Sequence, residues 1–129
     1  MKKTATYQEQ VNTENVLRLR EILKTLPPFA KDYFRAIEPT TSTRTRISYA
    51  YDIRIFFNFL LTENPSFKGK SVTDFTVDVL DRLEALDIEE YQEYLKVYQG
   101  EEKVQTNGER GLKRKMSALR SFYAYYYKR

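Results

Sequence analysis

Apolar residues recur along this chain at the spacing of one helical face, and polar segments separate the apolar stretches. The clearest case is the segment 107–129, where apolar side chains recur at positions i, i+4, i+7, i+10, i+11 and i+14. These are Leu112, Met116, Leu119, Phe122, Tyr123 and Tyr126. The pattern predicts a helix that packs on a core through this face.

The same periodicity predicts several earlier helices. They span about 13–25, 28–37, 42–63, 77–86 and 87–98. Asp87 with Glu90 and Thr106 with Glu109 match the spacing of capping boxes. We interpret residues 1–11 as a frayed polar end and residues 99–108 as a solvated loop. No long segment alternates between apolar and polar residues with the period of two that a β-strand shows, so the predicted fold class is all-α.

The predicted architecture is a small bundle of four core helices over residues 42–129. Residues 1–41 are predicted to form an N-terminal extension with one or two short helices. The chain has 129 residues, of which 41% are hydrophobic and 31% charged, which suits one globular domain with a core. No apolar run approaches the roughly 20 residues that a membrane span needs, so no membrane partner is expected.

Several classes of site are excluded by composition. The chain has no Cys and no His, which excludes disulfides, zinc sites built on those ligands and any triad that needs imidazole. It also has no phosphate-binding motif of the P-loop or dinucleotide type. We therefore predict no cofactor, no metal site and no catalytic residue in this chain.

Charge is distributed unevenly. The net charge is +4, but residues 65–100 carry eight Asp or Glu against four Lys or Arg, whereas residues 101–129 carry eight Lys or Arg against three Asp or Glu. An acidic middle and a basic end favour a polyanionic partner on one side of the fold. The acidic run 78–93 includes pairs that could hold a metal, but a solvated face turned away from nucleic acid explains it better.

Two cationic faces are the candidate binding surfaces. The final helix places polar residues opposite its apolar face: Arg110, Lys113, Arg114, Ser117, Ser121 and Lys128. The helix 42–63 carries a second polar face, which includes Asp52 and four candidate contacts: Arg44, Ser48, Tyr51 and Arg54. Lys and Arg neutralise phosphates, and small hydroxyls allow close approach. Either face could also be an ordinary solvated surface; side by side they would suit a major groove.

The tyrosines at the end of the chain admit two interpretations. Tyrosine can act as the nucleophile in strand transfer, but nothing in this sequence is arranged to activate one. We predict that Tyr123 and Tyr126 pack in the core, and that Tyr125 and Tyr127 border it or meet a neighbouring domain.

Three motifs resemble the N-terminal core-binding domain of tyrosine recombinases, the phage-integrase and Xer-type family. The first is Thr45-x-x-x-Tyr49-x-x-Asp52-Ile53 with Phe56 and Phe59-Leu60, and the second is Asp87-Ile88-x-x-Tyr91-x-x-Tyr94-Leu95. The third, Arg114-x-x-Ser117-Ala118-Leu119-Arg120-x-Phe122-Tyr123-x-Tyr125, is the most specific. Together the motifs cover about residues 42–127 in the family's order.

The resemblance implies a SAM-like helical bundle that contacts the core recombination site through its first and last core helices. It directs Arg44, Ser48, Tyr51 and Arg54 toward double-stranded DNA, together with Arg110, Lys113, Arg114 and Ser117. Gly111 departs from the family's usual Ser or Thr, and the acidic segment 99–106 is unusually long. The implied partners are DNA, a catalytic domain in the same parent chain, and other recombinase protomers in a synaptic complex.

The resemblance also implies that the family's catalytic residues belong to a following domain, so this chain is expected to be a non-catalytic fragment. A cytoplasmic protein of prokaryotic, phage or mobile-element origin is expected. Two other hypotheses stay open. The chain could be a SAM-like protein-interaction module without DNA binding, or a stand-alone helical DNA-binding regulator, although no compact helix-turn-helix stands out.

Overall fold

The computed structural model describes residues 6–127 and confirms the predicted all-α helical bundle, with one small hairpin added. Six α-helices and two strands occur within these residues. They are α1 (Tyr7–Leu23), α2 (Ala30–Ile37), α3 (Thr43–Glu63), α4 (Val79–Arg82), α5 (Ala85–Lys96), β1 (Val97–Gln99), β2 (Val104–Thr106) and α6 (Glu109–Tyr127). None of the helices in this described part is both long and apolar enough to cross a membrane. The predicted domain boundary at residue 41 stays a prediction.

The first helix begins earlier than its apolar periodicity indicates. Thr6 accepts a hydrogen bond from the Glu9 amide, and the Glu9 carboxylate accepts one from the Thr6 amide, which forms a capping box at the start of α1. The prediction of a frayed polar end over residues 1–11 was therefore wrong for residues 7–11. Residues 1–5, which that prediction also covered, lie outside the described residues.

The long helix α3 begins where the sequence predicts. Ser42 is its N-cap and accepts a hydrogen bond from the Thr45 amide. Its end is joined to α5 through Asn64, which is buried and donates to Asp87 Oδ1 at 3.0 Å. Asp87 Oδ2 accepts from the Glu84 amide, so Asp87 lies at the third position of α5 and not at its N-cap. The predicted cap at Asp87 was wrong, since the helix begins two residues earlier.

The predicted helix over 77–86 is interrupted. Val79–Arg82 form the single turn α4, Leu83 is extended, and residues 85 and 86 already belong to α5. Val79 and Leu80 are buried, but Leu86 is 60% exposed because it lies on the outer face of α5.

A β-hairpin over residues 97–106 occupies the end of the predicted helix 87–98 and most of the predicted loop 99–108. Strands β1 and β2 pair antiparallel, with Tyr98 opposite Gln105. The Gly100 amide donates to the Lys103 carbonyl at 2.9 Å and closes the turn. Each strand has three residues, which is too short to display a period of two in the sequence. Thr106 is consequently part of a strand, so the helix-opening role predicted for it was wrong.

The core runs through α1, α2, α3, α5 and α6 as one hydrophobic cluster. Its centre is aromatic: Phe57 of α3 contacts Phe122 of α6 and Phe29, which precedes α2. Asn12 of α1 accepts a hydrogen bond from Thr43 near the start of α3. Thr25, just after α1, accepts one from Arg54 further along α3, so α1 and α3 run parallel. Arg114 lies beside Ser48 and Phe122 beside Phe57, so α6 is also parallel to α3.

Candidate nucleic-acid interface

Arg114 joins the two cationic helices into one surface. Its Nη1 donates to Ser48 Oγ at 3.1 Å, and its Nη2 lies 3.3 Å from Asp52 Oδ1. Arg114 is on α6, whereas Ser48 and Asp52 are one turn apart on α3. Arg114, from the predicted face of α6, therefore contacts two residues of the predicted face of α3. The two faces adjoin at this point.

The solvent-exposed face of α6 carries most of the predicted cations. Arg110, Lys113 and Ser117 are exposed. Arg120, which is not among the predicted contacts, is exposed on the same face because it lies seven residues after Lys113. That spacing was the signal that could have identified it. Lys128, also predicted for this face, lies outside the described residues.

The two predicted cations of α3 differ in their surroundings: Arg44 is exposed to solvent, whereas Arg54 contacts other side chains. Arg44 is exposed near the start of the helix, at the same end of the α3–α6 pair as Arg110. Arg54 lies over the Tyr51 ring at 5.1 Å, donates weakly to Thr25 Oγ1 at 3.4 Å and approaches Glu101 of the hairpin at 3.9 Å. The carboxylate of Glu101 partly neutralises Arg54, so the positive potential is strongest toward the start of the two helices.

Ser121 lies at the edge of this surface. Its Oγ is 2.7 Å from the hydroxyl of Tyr33 on α2, and either oxygen can donate. Tyr33 belongs to the core, because its ring is buried against Phe122. Ser121 thus joins α6 to α2, and an intermolecular contact would require it to share or exchange this hydrogen bond.

Asp52 is buried, which differs from the exposed polar position predicted for it. Its side chain is 3% exposed, and Oδ2 has no hydrogen-bond partner in the part of the chain that the structure describes. Burial raises the pKa of the Asp52 carboxyl, and the charges of Arg114 and Lys115 act in the opposite direction. The prediction failed because Asp52 faces α6, and helical periodicity in α3 cannot locate a neighbouring helix.

Lys115 of α6 is buried at the joint with α5. Its Nζ donates to Asn107 Oδ1 at 2.7 Å, and Asn107 Nδ2 donates to the Leu95 carbonyl at 2.7 Å. Burial and the charge of Arg114 lower the pKa of the Lys115 amine, whereas Asp52 opposes that change. The side chain therefore connects α6 to the end of α5 instead of facing solvent.

Gly111 makes space for this connection. A Cβ atom at position 111 would lie 2.8 Å from Asn107 Oδ1, the oxygen that accepts from Lys115. Any larger residue would have to displace a side chain that is held at both ends. The departure from Ser or Thr at this position thus has a packing reason in this chain.

The terminal tyrosines make specific packing contacts. Tyr126 donates to the Phe29 carbonyl at 2.7 Å, and Tyr127 donates to Asp81 Oδ1 at 2.6 Å. Tyr123 stacks on Tyr127 and donates to the Leu80 carbonyl at 3.4 Å, while Tyr125 packs against Tyr33. Burial raises the pKa of Tyr123, and the hydrogen bond to Asp81 raises that of Tyr127. Raised values disfavour the phenolate, which is the nucleophilic form.

The acidic run lies on the exposed surface of α4 and α5. Asp78, Asp81, Glu89, Glu90 and Glu93 are exposed, and Glu84 and Asp87 form the capping box of α5. No group of three or more metal-ligating side chains occurs within residues 6–127. The carboxylates therefore form a dispersed negative surface in the described chain.

Comparison with known proteins gives one relative of defined function. The chain is similar to a tyrosine recombinase. That protein is tyrosine recombinase XerC of Caldanaerobacter subterraneus subsp. tengcongensis, and the identity is 30% over 122 residues, which cover 88% of this chain and 32% of the relative. This chain thus spans about a third of the length of the relative that it matches. No protein-family model matches the chain, and no solved structure matches it significantly.

Proposed function

We propose that this chain is the SAM-like core-binding domain of a tyrosine recombinase. In this function, α3 and α6 contact the major groove of the core recombination site in double-stranded DNA. The domain is non-catalytic by itself and acts with a catalytic domain of the same parent chain and with other recombinase protomers. The observation that carries the proposal is the bridge from Arg114 to Ser48 and Asp52, which unites the two cationic faces.

The distribution of charge on the united surface supports this assignment. Arg44, Arg110, Lys113 and Arg120 are exposed on the two adjoining helices, and Arg114 is half-exposed between them. Four or five cations on one surface can displace counterions from DNA. Ser48 and Ser117 add hydroxyl groups between the cations, and such groups donate to phosphates and base edges. The acidic surface of α5 lies on a different element, which orients the domain in the field of the DNA.

The relative supports the recombinase part of the proposal. That relative is a tyrosine recombinase, and the matched region covers 88% of this chain. The three motifs that resemble the family's core-binding domain lie within α3, α5 and α6, which are three of the longest helices here.

Binding of a labelled DNA duplex, measured by fluorescence anisotropy at low and moderate salt, tests the proposal. The variant Lys113→Glu/Arg120→Glu should weaken binding by at least about tenfold, because each reversal removes one cation and adds one anion at the DNA surface. The variant Lys68→Glu/Lys70→Glu has the same charge change in the exposed loop beyond the end of α3, and it serves as the matched control.

The proposal predicts affinity that falls with rising salt and a loss that is confined to the α6 variant. Equal losses in both variants would indicate non-specific attraction by net charge. Absence of binding at low salt would instead favour a SAM-like protein-interaction module without a DNA function. The coding sequence downstream provides a separate test of the recombinase assignment, which predicts a domain with the arginine, histidine and tyrosine residues of the family.

A further inference from the structure

A cationic groove between α1 and α2 lies apart from the proposed DNA surface. It encloses about 580 Å³, and its apolar lining includes Val16, Leu19 and Phe34. Arg44 and Arg46 are two residues apart on α3 and point about 200° apart around the helix. Arg46 lines the groove, so the groove opens on the side of α3 opposite the exposed Arg44. A duplex bound along the α3–α6 surface would not cover it.

The charge in this groove is incompletely compensated. Arg46 is 7% exposed and donates through Nη1 to the carbonyls of Glu38 and Thr41 and to Thr41 Oγ1, but no carboxylate forms an ion pair with it within residues 6–127. Arg20 and Lys31 also line the groove without an ion-pair partner in the same residues. Lys24 and Arg35 are paired with Glu21 and Asp32 on their own helices. Three cations without an ion-pair partner in the described chain and one carboxylate, that of Glu38, thus line the groove beside its apolar floor.

The outer face of α5 has the complementary composition. Leu86 is 60% exposed. The exposed carboxylates of Glu89, Glu90 and Glu93 follow it at i+3, i+4 and i+7 and therefore lie on the same helical face, on its C-terminal side. None of these three glutamates forms an ion pair in the described part of the chain. The opposite face of α5 packs on α3 and α6 through Tyr91 and Leu95, so the leucine face is available to a partner.

We propose that the α1–α2 groove of one copy of this chain binds the Leu86 face of α5 of a second copy. An exposed leucine followed by three carboxylates would meet an apolar floor lined by the same three cations and one carboxylate, which is the helix-in-groove mode of recognition with a net charge attraction. The groove and the α5 face are different surfaces, so the contact is heterologous, and each copy can bind two neighbours. The interface is small, so a dissociation constant on the order of 0.1–1 mM is expected.

Sedimentation of the purified chain up to about 1 mM, without DNA, tests the proposal independently of the proposed function. The wild-type chain should self-associate at low salt. Two charge-reversed variants, Arg20→Glu/Lys31→Glu in the groove and Glu90→Lys/Glu93→Lys on α5, should each weaken self-association by at least about tenfold. All four positions are exposed, and circular dichroism verifies that each variant is folded. The control Lys68→Glu/Lys70→Glu should associate like the wild type.

An equimolar mixture of the two reversed variants provides the deciding result. The unchanged acidic face of the groove variant meets the unchanged groove of the α5 variant, and the two reversed surfaces also have opposite charge. The mixture should therefore regain association, as should a chain with all four substitutions. A wild-type chain that remains monomeric at low salt would overturn the proposal. So would association that ignores the single reversals, or a mixture that stays dissociated.

Discussion

Arg114 of α6 lies 3.3 Å from Asp52 of α3, and the two side chains differ strongly in exposure. The Arg114 side chain is 52% exposed, whereas the Asp52 side chain is 3% exposed. The buried Asp52 carboxylate therefore fixes one side of the Arg114 guanidinium, while other N–H donors of Arg114 stay accessible to solvent. This arrangement restricts a cation on the proposed DNA surface to one orientation, which reduces the conformational entropy lost on binding.

Loss of Arg114 should affect stability as well as binding. Arg114→Ala leaves the Asp52 carboxylate buried without an ionic partner, so we expect the free energy of unfolding to fall by about 1–3 kcal/mol. The double variant Asp52→Asn/Arg114→Ala should recover most of this loss, because an uncharged side chain needs no cation. Urea denaturation of the four members of this cycle measures the coupling between the residues. A double variant as unstable as Arg114→Ala would contradict the pairing.

This coupling also determines how DNA contacts should be tested. Reversal of Arg114 to Glu would place a second carboxylate beside Asp52 and confound a loss of binding with a loss of folding. Lys113 and Arg120 are exposed on the same helix, and their charges can be reversed without this effect.

The pH dependence of stability should carry the signature of Asp52. Its pKa is raised by burial in the folded state, so the folded chain holds this proton at pH values at which the unfolded chain has released it. The contribution of Asp52 to stability is therefore expected to decrease as pH rises from about 4 through the raised pKa. The titratable and charged groups that interact with Asp52 are Arg114, Lys115, Tyr91 and Tyr98.

Asp52→Asn should lack this component of the pH profile. At neutral pH it should be at least as stable as the wild type, because the asparagine avoids the desolvation of a charge. Thermal unfolding of both chains between about pH 4 and 8 measures the difference. Parallel profiles for the two chains would show that Asp52 is not the group with the raised pKa.

Asn107 should contribute strongly to the joint between α5 and α6. Asn107→Ala removes the partners of Lys115 Nζ and of the Leu95 carbonyl, both in partly buried positions. The expected loss of unfolding free energy is about 1–3 kcal/mol. Gln92→Ala removes an exposed amide from α5 and should change stability by less than about 0.5 kcal/mol. A similar result for the two variants in urea denaturation would show that the Asn107 hydrogen bonds contribute little.

The hairpin should weaken DNA binding through Glu101. Its carboxylate lies 3.9 Å from Arg54 on the proposed DNA surface. Glu101→Gln removes a negative charge and releases Arg54, so we expect a several-fold gain in DNA affinity at low salt. Stability should change by less than about 1 kcal/mol, because the Glu101 side chain is 78% exposed. Glu102 is exposed next to Glu101, so Glu102→Gln is the matched control. An equal gain in DNA affinity in both variants would contradict a specific role for Glu101.

Much of the fold was predictable because it depends on local pattern. The start of α3 at Ser42 and the inward positions of Leu119 and Phe122 follow from capping and helical period. The hairpin, the burial of Asp52 and the burial of Lys115 depend on contacts between elements distant in sequence, which periodicity within one segment does not encode. Arg114 and Ser48 were predicted individually, but their direct contact across 66 residues became evident only in the folded chain.

The most direct test of DNA binding by the joined α3–α6 surface is a nuclear magnetic resonance titration of the 15N-labelled chain with duplex DNA at low salt. The predicted result is a set of shifts at Arg44, Ser48 and Tyr51 on α3 and over residues 110–120 on α6, including the side-chain Nε–H of Arg114. These shifts should diminish together as salt rises. Shifts confined to the acidic region 74–93, or no shifts at all, would contradict DNA binding by this surface.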